Sequence, residues 1–266
     1  MRIANSAKIA AAALGLSATL ASAGCASADP APAPVKPTIV LVHGAFAESA
    51  SWNGVIDRLN RQGLTNIAVG NPLRSVQGDA DAVRGVVASI NGPVVLVGHS
   101  YGGQVISQII DPKVKGLVYV AAFAPEEGET IGELSGKFPG STLGETLNKV
   151  TLADGSTDLY IKPEKYQKQF AADVSAAQAA LDARTQRPLN DRALNGKSGA
   201  PNWKTRPSWF VYPDADYNIP VAAHRFMAER AGARATVEIP GASHAVTVSQ
   251  PDVVAKVIVD AAGAVS

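Results

Sequence analysis

A serine framed by small residues, one histidine on a glycine-bearing loop and a pair of aspartates are the groups in this chain whose types and spacing can do chemistry together. Gly98-His99-Ser100-Tyr101-Gly102-Gly103 follows directly on the apolar run Pro93 to Val97. A G-x-S-x-G string that closes a buried strand and opens a helix forces a tight, strained turn, which lifts the serine hydroxyl over the sheet edge. The first backbone N–H groups of the helix beginning at Tyr101 stand beside that hydroxyl and favour a developing oxyanion. Ser100 is therefore the candidate nucleophile, and an alcohol needs a base to become one.

Four histidines are available. His43 and His99 sit beside the proposed oxyanion loop and the nucleophile, where an imidazole serves as a structural hydrogen-bonding group. His224 falls mid-helix, a position for packing or solvent. His244 differs: it follows the run Thr236 to Ile239 in Pro240-Gly241-Ala242-Ser243-His244, a loop at the carboxyl end of a strand, where α/β sheets carry their sites. It is the expected base. An orienting acid is expected after the run Ser208 to Tyr212, where Pro213-Asp214-Ala215-Asp216 offers two aspartates. Asp216 lies just before the helix start at Ile219-Pro220, with room for one helix and one strand before His244. Asp214 is the alternative, and an Asx turn is its structural use.

These residues need a scaffold that brings strand ends together, and the hydrophobic pattern supplies one. Strands are expected at Thr38 to Val42, Asn66 to Val69, Pro93 to Val97, Gly116 to Ala121, Ser208 to Tyr212 and Thr236 to Ile239. Helices are expected at Trp52 to Arg61, Asp79 to Ile90, Tyr101 to Ile110 and Val221 to Ala231, with a closing helix after Pro251. Alternating βα units of this kind predict a mostly parallel sheet covered by helices on both sides. From about 124 to 205 the alternation stops, and the expectation there is an inserted helical cap with a helix from Pro163 to Arg184.

The 266 residues carry 24 Lys plus Arg against 23 Asp plus Glu, a formal charge of +1, so no broad field attracts nucleic acid or anionic membrane. Arg2 and Lys8 precede an apolar run from Ile9 to Ala23, and Ala26-Ser27-Ala28 matches an A-x-A cleavage site, which predicts a secretory signal over residues 1–28. That run is short for a membrane span. A Pro-rich linker over 29–37 and one folded domain over 38–266 are expected to follow. The product is a secreted or periplasmic protein, slightly acidic once Arg2 and Lys8 are removed. Cys25 is the only cysteine, so no intramolecular disulfide forms; Ser22-Ala23-Gly24-Cys25 approximates a lipoprotein box, and a lipid anchor through Cys25 is the alternative.

Taken together, the motifs make the chain resemble the α/β-hydrolase superfamily, in particular its branch of small esterases similar to plant methylesterases and hydroxynitrile lyases. The resemblance runs from about Thr38 to the final helix. It rests on Val40-Leu41-Val42-His43-Gly44-Ala45 with Trp52, on Gly98 to Gly103, on Asp216 before Ile219-Pro220, and on Gly241-Ala242-Ser243-His244. The order Ser100, Asp216, His244 is the order of that fold. The resemblance implies an α/β-hydrolase fold with an inserted helical cap, Ser100 as nucleophile, His244 as general base and Asp216 as its orienter. It further implies the backbone N–H groups of Ala45 and Tyr101 as the oxyanion hole, with Phe46 the alternative donor.

The implied reaction is hydrolysis of a small, apolar carboxylic ester through an acyl-enzyme, with no metal or organic cofactor. Lyases of this branch carry a Lys directly after the base histidine; Ala245 stands here, which favours hydrolysis over C–C cleavage. A non-catalytic ligand-binding homologue is a third reading, although such proteins commonly lose a triad member and none is lost here. Phe46 and Phe123 near strand ends, and Phe138, Tyr160 and Trp203 in the cap, are candidates for lining the pocket.

Overall fold

The computed structural model describes residue 10 and residues 35–266. The expected leader, Cys25 and most of the Pro-rich linker lie outside the described residues. No helix among the described residues is long and apolar enough to cross a membrane.

From Thr38 the chain alternates as its hydrophobic pattern requires: β1 (Thr38–Val42), α1 (Asn53–Arg61), β2 (Asn66–Val69), α2 (Val76–Ser89), β3 (Val94–His99), α3 (Tyr101–Ser107) and β4 (Val114–Val120). An insertion follows, comprising α4 (Ile131–Lys137), α5 (Leu143–Thr146), β5 (Leu147–Thr151), β6 (Thr157–Ile161), α6 (Pro163–Phe170), α7 (Ala176–Thr185), β7 (Leu189–Asn190) and α8 (Asp191–Leu194). Alternation resumes with β8 (Ser208–Pro213), α9 (Val221–Arg230), β9 (Ala235–Ile239), α10 (Val246–Ser249) and α11 (Pro251–Val265).

Six strands form one sheet in the order β2-β1-β3-β4-β8-β9, and every pairing in it is parallel. β3 is buried along its whole length, as its unbroken apolar sequence predicts for a central parallel strand covered on both faces. Successive side chains of a strand point to opposite faces, and the core divides accordingly. Val94 and Leu96 of β3 join Val83 and Val87 of α2, Val105 and Ile106 of α3 and Met227 of α9 on one face. Val95 and Val97 join Trp52, Leu59 of α1 and Val254 and Ile258 of α11 on the other. Because the strands are parallel, the segments after β1, β3, β8 and β9 all emerge at the same sheet edge. Those are the segments carrying Ala45, Ser100, Asp216 and His244.

The insertion differs from its expectation in two ways. It holds a three-stranded antiparallel sheet, β5-β6-β7, so it is mixed rather than helical throughout. Asp154-Gly155, with Gly155 at φ 78, turns β5 back onto β6, the dipeptide that favours a hairpin between two alternating runs. The single helix expected from Pro163 to Arg184 is two helices, broken at 171–175. The break has a local cause: the Ser175 hydroxyl accepts from the Gln178 N–H and starts α7 afresh, and Ser175-x-x-Gln178 is a capping-box spacing.

Two glycines test how tightly the site end of the sheet is packed. A Cβ on Gly102 would stand 2.3 Å from Val42 O, whereas one on Gly85, exposed in mid α2, would meet nothing within 4 Å. Gly102→Ala is expected to cost about 3 kcal/mol through forced backbone displacement, and Gly85→Ala to add about 0.5–1 kcal/mol through helix propensity. Urea unfolding of the two variants reads both signs; a Gly102→Ala protein as stable as wild type would contradict the packing described.

Candidate active site

β3 delivers the chain at full burial to Ser100, whose backbone adopts φ 55, ψ −123. A residue with a Cβ is rarely found there, and holding it costs on the order of 1–3 kcal/mol. Backbone bonds on both sides hold it. Ser100 N–H donates to Val120 O at 3.2 Å, and Ser100 C=O accepts from Gly103 N–H at 3.0 Å and Phe123 N–H at 3.1 Å. The turn closes only because Gly98 lacks a side chain: a Cβ there would lie 2.6 Å from Gly102 backbone. Tyr101 fixes the start of α3 by donating its phenol proton to Asp79 Oδ2 at 2.6 Å. Burial pushes the Tyr101 phenol up, helped by the adjacent Asp79 carboxylate, so the proton stays on the phenol.

The loop after β9 places His244 against Asp216 from the loop after β8. His244 Nδ1–H donates to Asp216 Oδ2 at 2.6 Å, with both side chains buried. The other carboxylate oxygen, Oδ1, accepts from Asn218 N–H at 2.7 Å and Ile219 N–H at 3.0 Å. Burial alone would raise the Asp216 carboxyl, but the neighbouring His244 and the hydrogen bonds from His224 and His244 hold it well below the usual carboxylate range. Asp214 has a different use. Its Oδ1 accepts from Gly241 N–H at 2.6 Å, which ties the acid loop to the base loop without touching His244.

His224 departs from its expected place in solvent or simple packing. It is fully buried on the inner face of α9, stacks on Tyr212 with ring centroids 5.2 Å apart, and lies 3.2 Å through Nε2 from Asp216 Oδ2. The signal was present in helical periodicity, since His224 falls on the face of Ala223, Met227 and Ala228. His43 and His99 hold structural bonds. His43 Nδ1–H donates to Gly44 O at 2.9 Å and Nε2 accepts from Asn71 N–H at 3.0 Å, joining the loops after β1 and β2. His99 Nε2–H donates to His244 O at 3.1 Å.

Ser100 and His244 open onto one cavity, lined also by Ala45, Tyr101, Phe123, Ile131, five leucines and Asn218. Among the described residues no carboxylate, lysine or arginine lines it. Of the backbone donors beside Ser100, Phe46 N–H is committed to Arg187 O at 2.8 Å, while Ala45 N–H and Tyr101 N–H have no acceptor among the described residues. Phe46 and Phe123 line the cavity as expected; Phe138, Tyr160 and Trp203 do not. Phe138 packs on Phe226 and the Arg230 guanidinium of α9 lies over the Trp203 ring, so both hold the insertion to the body, while Trp203 Nε1 donates to Pro125 O within the insertion. A second cavity shares Phe46 but contains neither Ser100 nor His244.

Two residues at the end of α6, unanticipated from sequence, grip both functional loops. Gln169 Nε2 donates to Tyr217 O at 2.8 Å and Asn218 Oδ1 at 2.9 Å on the acid side. Phe170 C=O accepts from Ala245 N–H at 3.0 Å, and its ring stands edge-on to His244 at 4.9 Å. Ser243 Oγ also donates to the Asp173 carboxylate in the break after α6. A serine on a strained turn, a buried histidine–carboxylate pair, and unpaired N–H groups at one cavity are the parts needed for nucleophilic acyl transfer.

A family model for the alpha/beta hydrolase family matches residues 39–257. An alpha/beta hydrolase of Aspergillus novofumigatus is 25% identical over 252 residues, covering 86% of this chain and 98% of its own. A pyrethroid hydrolase of Sphingobium wenxiniae is 27% identical over 257 residues, covering 85% and 88%. Among solved structures, polyneuridine aldehyde esterase superposes with a TM-score of 0.74 at 20% identity, over 85% of this chain and 99% of that one.

The buried imidazoles set a pH dependence of stability. Burial lowers His43 to about 4 and His99 to about 3 from the ordinary 6.5, and lowers His224 as well. Below about 6.5 the unfolded chain takes up protons that the folded chain refuses, so the stability these rings contribute is complete above about 6.5 and is lost as pH falls toward their folded values. The loss amounts to roughly 1.4 kcal/mol per pH unit for each of His43 and His99 until their folded values are reached. Asp216 acts at lower pH: its contribution is present above the ordinary aspartate value of 3.8 and lost below it. Melting temperatures should therefore hold between pH 7.5 and about 6.5 and fall from there to pH 5, and a flat profile below pH 6.5 would contradict the buried, neutral state of these rings.

Proposed function

We propose, on the premise that this chain belongs to the alpha/beta hydrolase family, that it hydrolyses small, uncharged carboxylic esters through an acyl-enzyme. The observation that carries the reading is the buried 2.6 Å bond from His244 Nδ1 to Asp216 Oδ2, with His244 opening onto the cavity of Ser100. With Nδ1 bound to the carboxylate, Nε2 is the nitrogen left to act as base.

In this mechanism Ser100 Oγ attacks the ester carbonyl carbon as its proton passes to His244 Nε2, and Asp216 stabilises the imidazolium. The carbonyl oxygen becomes an oxyanion held by Ala45 N–H and Tyr101 N–H, the two donors with no other acceptor among the described residues. Phe46 N–H, already bound to Arg187 O, is not available for that role. The C–O bond to the alcohol breaks, and the leaving alkoxide takes the proton from His244. Water then repeats the attack on the acyl carbon, giving up a proton to His244; the bond from that carbon to Ser100 Oγ breaks, and Oγ takes the water-derived proton from His244.

The cavity supports the substrate class. Ile131, Leu143, Leu147, Leu159, Leu189 and Leu194 line it without any charged side chain of opposite sign to a carboxylate, so an ester with apolar acyl and alcohol groups loses little hydration on entering and an ionised one loses much. The same lining gives no lysine beside the base, and Ala245 follows His244, which leaves cyanohydrin cleavage without a cation. The leader read from the sequence supports export of the enzyme to a secreted or periplasmic location.

The mature protein should hydrolyse short-chain p-nitrophenyl esters, and a fluorophosphonate probe should label Ser100. Ser100→Ala is expected to lower kcat by about 10³-fold or more with an unchanged circular-dichroism spectrum. Hydrolysis undiminished by that substitution would overturn the assignment, as would faster cyanide release from mandelonitrile than ester turnover.

A further inference from the structure

We propose that His224 is a positioning residue for the Asp216–His244 pair, donating a second imidazole N–H to the carboxylate oxygen that His244 uses. The inference rests on the hydrolytic reading of the site and adds a fourth member to it.

The geometry begins at Asp216 Oδ2, which lies 2.6 Å from His244 Nδ1 and 3.2 Å from His224 Nε2. With Oδ1 accepting from Asn218 and Ile219 N–H, the carboxylate is held by four donors, and rotation about its terminal bond breaks all of them. An ionised carboxylate only accepts. His224 is therefore protonated on Nε2 and bare on Nδ1, and Nδ1 is buried with no partner among the described residues. A second proton there would be a buried N–H with nothing to receive it, and burial lowers the affinity of His224 for that proton. The ring is a fixed donor, not a relay, and the protons of the reaction pass through His244 alone.

The charged and titratable surroundings are few. Tyr212 of β8 stacks on His224. Glu238 of β9 acts on His224 from a distance and is paired with Arg225 of α9 at 2.6 Å. His99 at the end of β3 stands 4.9 Å from the His244 ring, and Asp173 and Asp214 approach the base loop through Ser243 and Gly241. None of these besides His99 reaches His244 and none besides Tyr212 touches His224; Asp216 is the group to which both histidines bond, and His244 also acts on His224 directly through space, opposing its protonation.

Two consequences follow from sharing one oxygen. The N–H of His224 engages part of the Asp216 charge, so its loss returns that charge to His244 and makes the imidazolium easier to form; the acid limb of the pH profile of kcat/KM then moves up. Loss of one of four holding bonds also loosens the carboxylate that orients the base. Because His224 does not line the cavity, substrate binding should be spared.

The test compares His224→Leu, which removes the donor, with His224→Gln, whose side-chain amide nitrogen reaches about as far as imidazole Nε2. His224→Leu is expected to lower kcat roughly tenfold with KM within about twofold of wild type, and to move the acid limb up by about half a pH unit. His224→Gln should restore both. A His224→Leu enzyme with wild-type kcat and profile would overturn the proposal, and so would a His224→Gln enzyme as impaired as His224→Leu, since packing alone would then explain the loss. Should His224→Leu not fold, His224→Asn, whose shorter amide does not reach Oδ2, takes its place with the same readings.

A readout independent of turnover separates this proposal from the hydrolytic one. The low-field proton resonance of the His244 Nδ1–H bond to Asp216 should shift in His224→Leu and return in His224→Gln. If wild type turns over no ester but the resonance responds, the hydrolytic reading fails and the positioning of Asp216 by His224 holds. If esters are hydrolysed and neither the profile nor the resonance responds, the positioning role is wrong.

Discussion

A carboxylate withdrawn from water must recover its hydrogen bonds inside the protein or lose its charge, and the site end of this molecule is organised around that requirement at Asp216. Its two oxygens accept from Asn218 N–H, Ile219 N–H, His224 and His244. Two donors are backbone, which fixes the conformation of the loop after β8. One comes from α9, which fixes how that helix lies against the sheet. The last is His244, brought from the loop after β9. Asp214 adds the bond to Gly241 N–H and Ala215 N–H donates to Ala242 O, so the acid and base loops are joined three times.

The sheet makes that convergence possible. Six parallel strands send every carboxyl end to one edge, and β3, buried on both faces, lies near the middle of it. Ser100 is raised there at a backbone conformation that opposes ordinary packing, and it is tolerated because Gly44, Gly98 and Gly102 allow three segments of backbone to approach more closely than any Cβ permits. The strain at Ser100 is thus offset by close backbone packing around it, including the bonds to Val120, Gly103 and Phe123.

The insertion is more than a cover. Gln169 and Phe170, at the end of α6, hold the acid loop through Tyr217 and Asn218 and the base loop through Ala245. Leucines from α5, β5, β6, β7 and α8 close the cavity over Ser100. The aromatic residues of the insertion serve elsewhere: Trp203 packs on Arg230 and Phe138 on Phe226, both of α9, where the insertion meets the body. Lining the cavity with aliphatic side chains and anchoring the insertion with aromatic ones separates the two tasks in space.

Much of the scaffold was legible in the chain itself. Apolar runs of strand length alternate with helical periodicity, and the sheet strands begin or end within about two residues of those runs. Gly98 to Gly103 marks a turn by residue type alone, and the segments bearing Asp216 and His244 follow strands by pattern alone. Local rules also held the break at Ser175 and the hairpin at Asp154-Gly155, though a long polar stretch obscures them until the caps are read one by one. What tertiary structure alone decided is which groups meet across the fold. No local pattern pairs His224 with Asp216, sends Gln169 to Asn218, occupies Phe46 N–H with Arg187 O, or selects leucines over Phe138 and Trp203 for the cavity. Periodicity tells which face of an element is buried, because burial depends on the element's own repeat; it does not tell which neighbour that face will meet, because that depends on the register and packing of segments far apart in the chain.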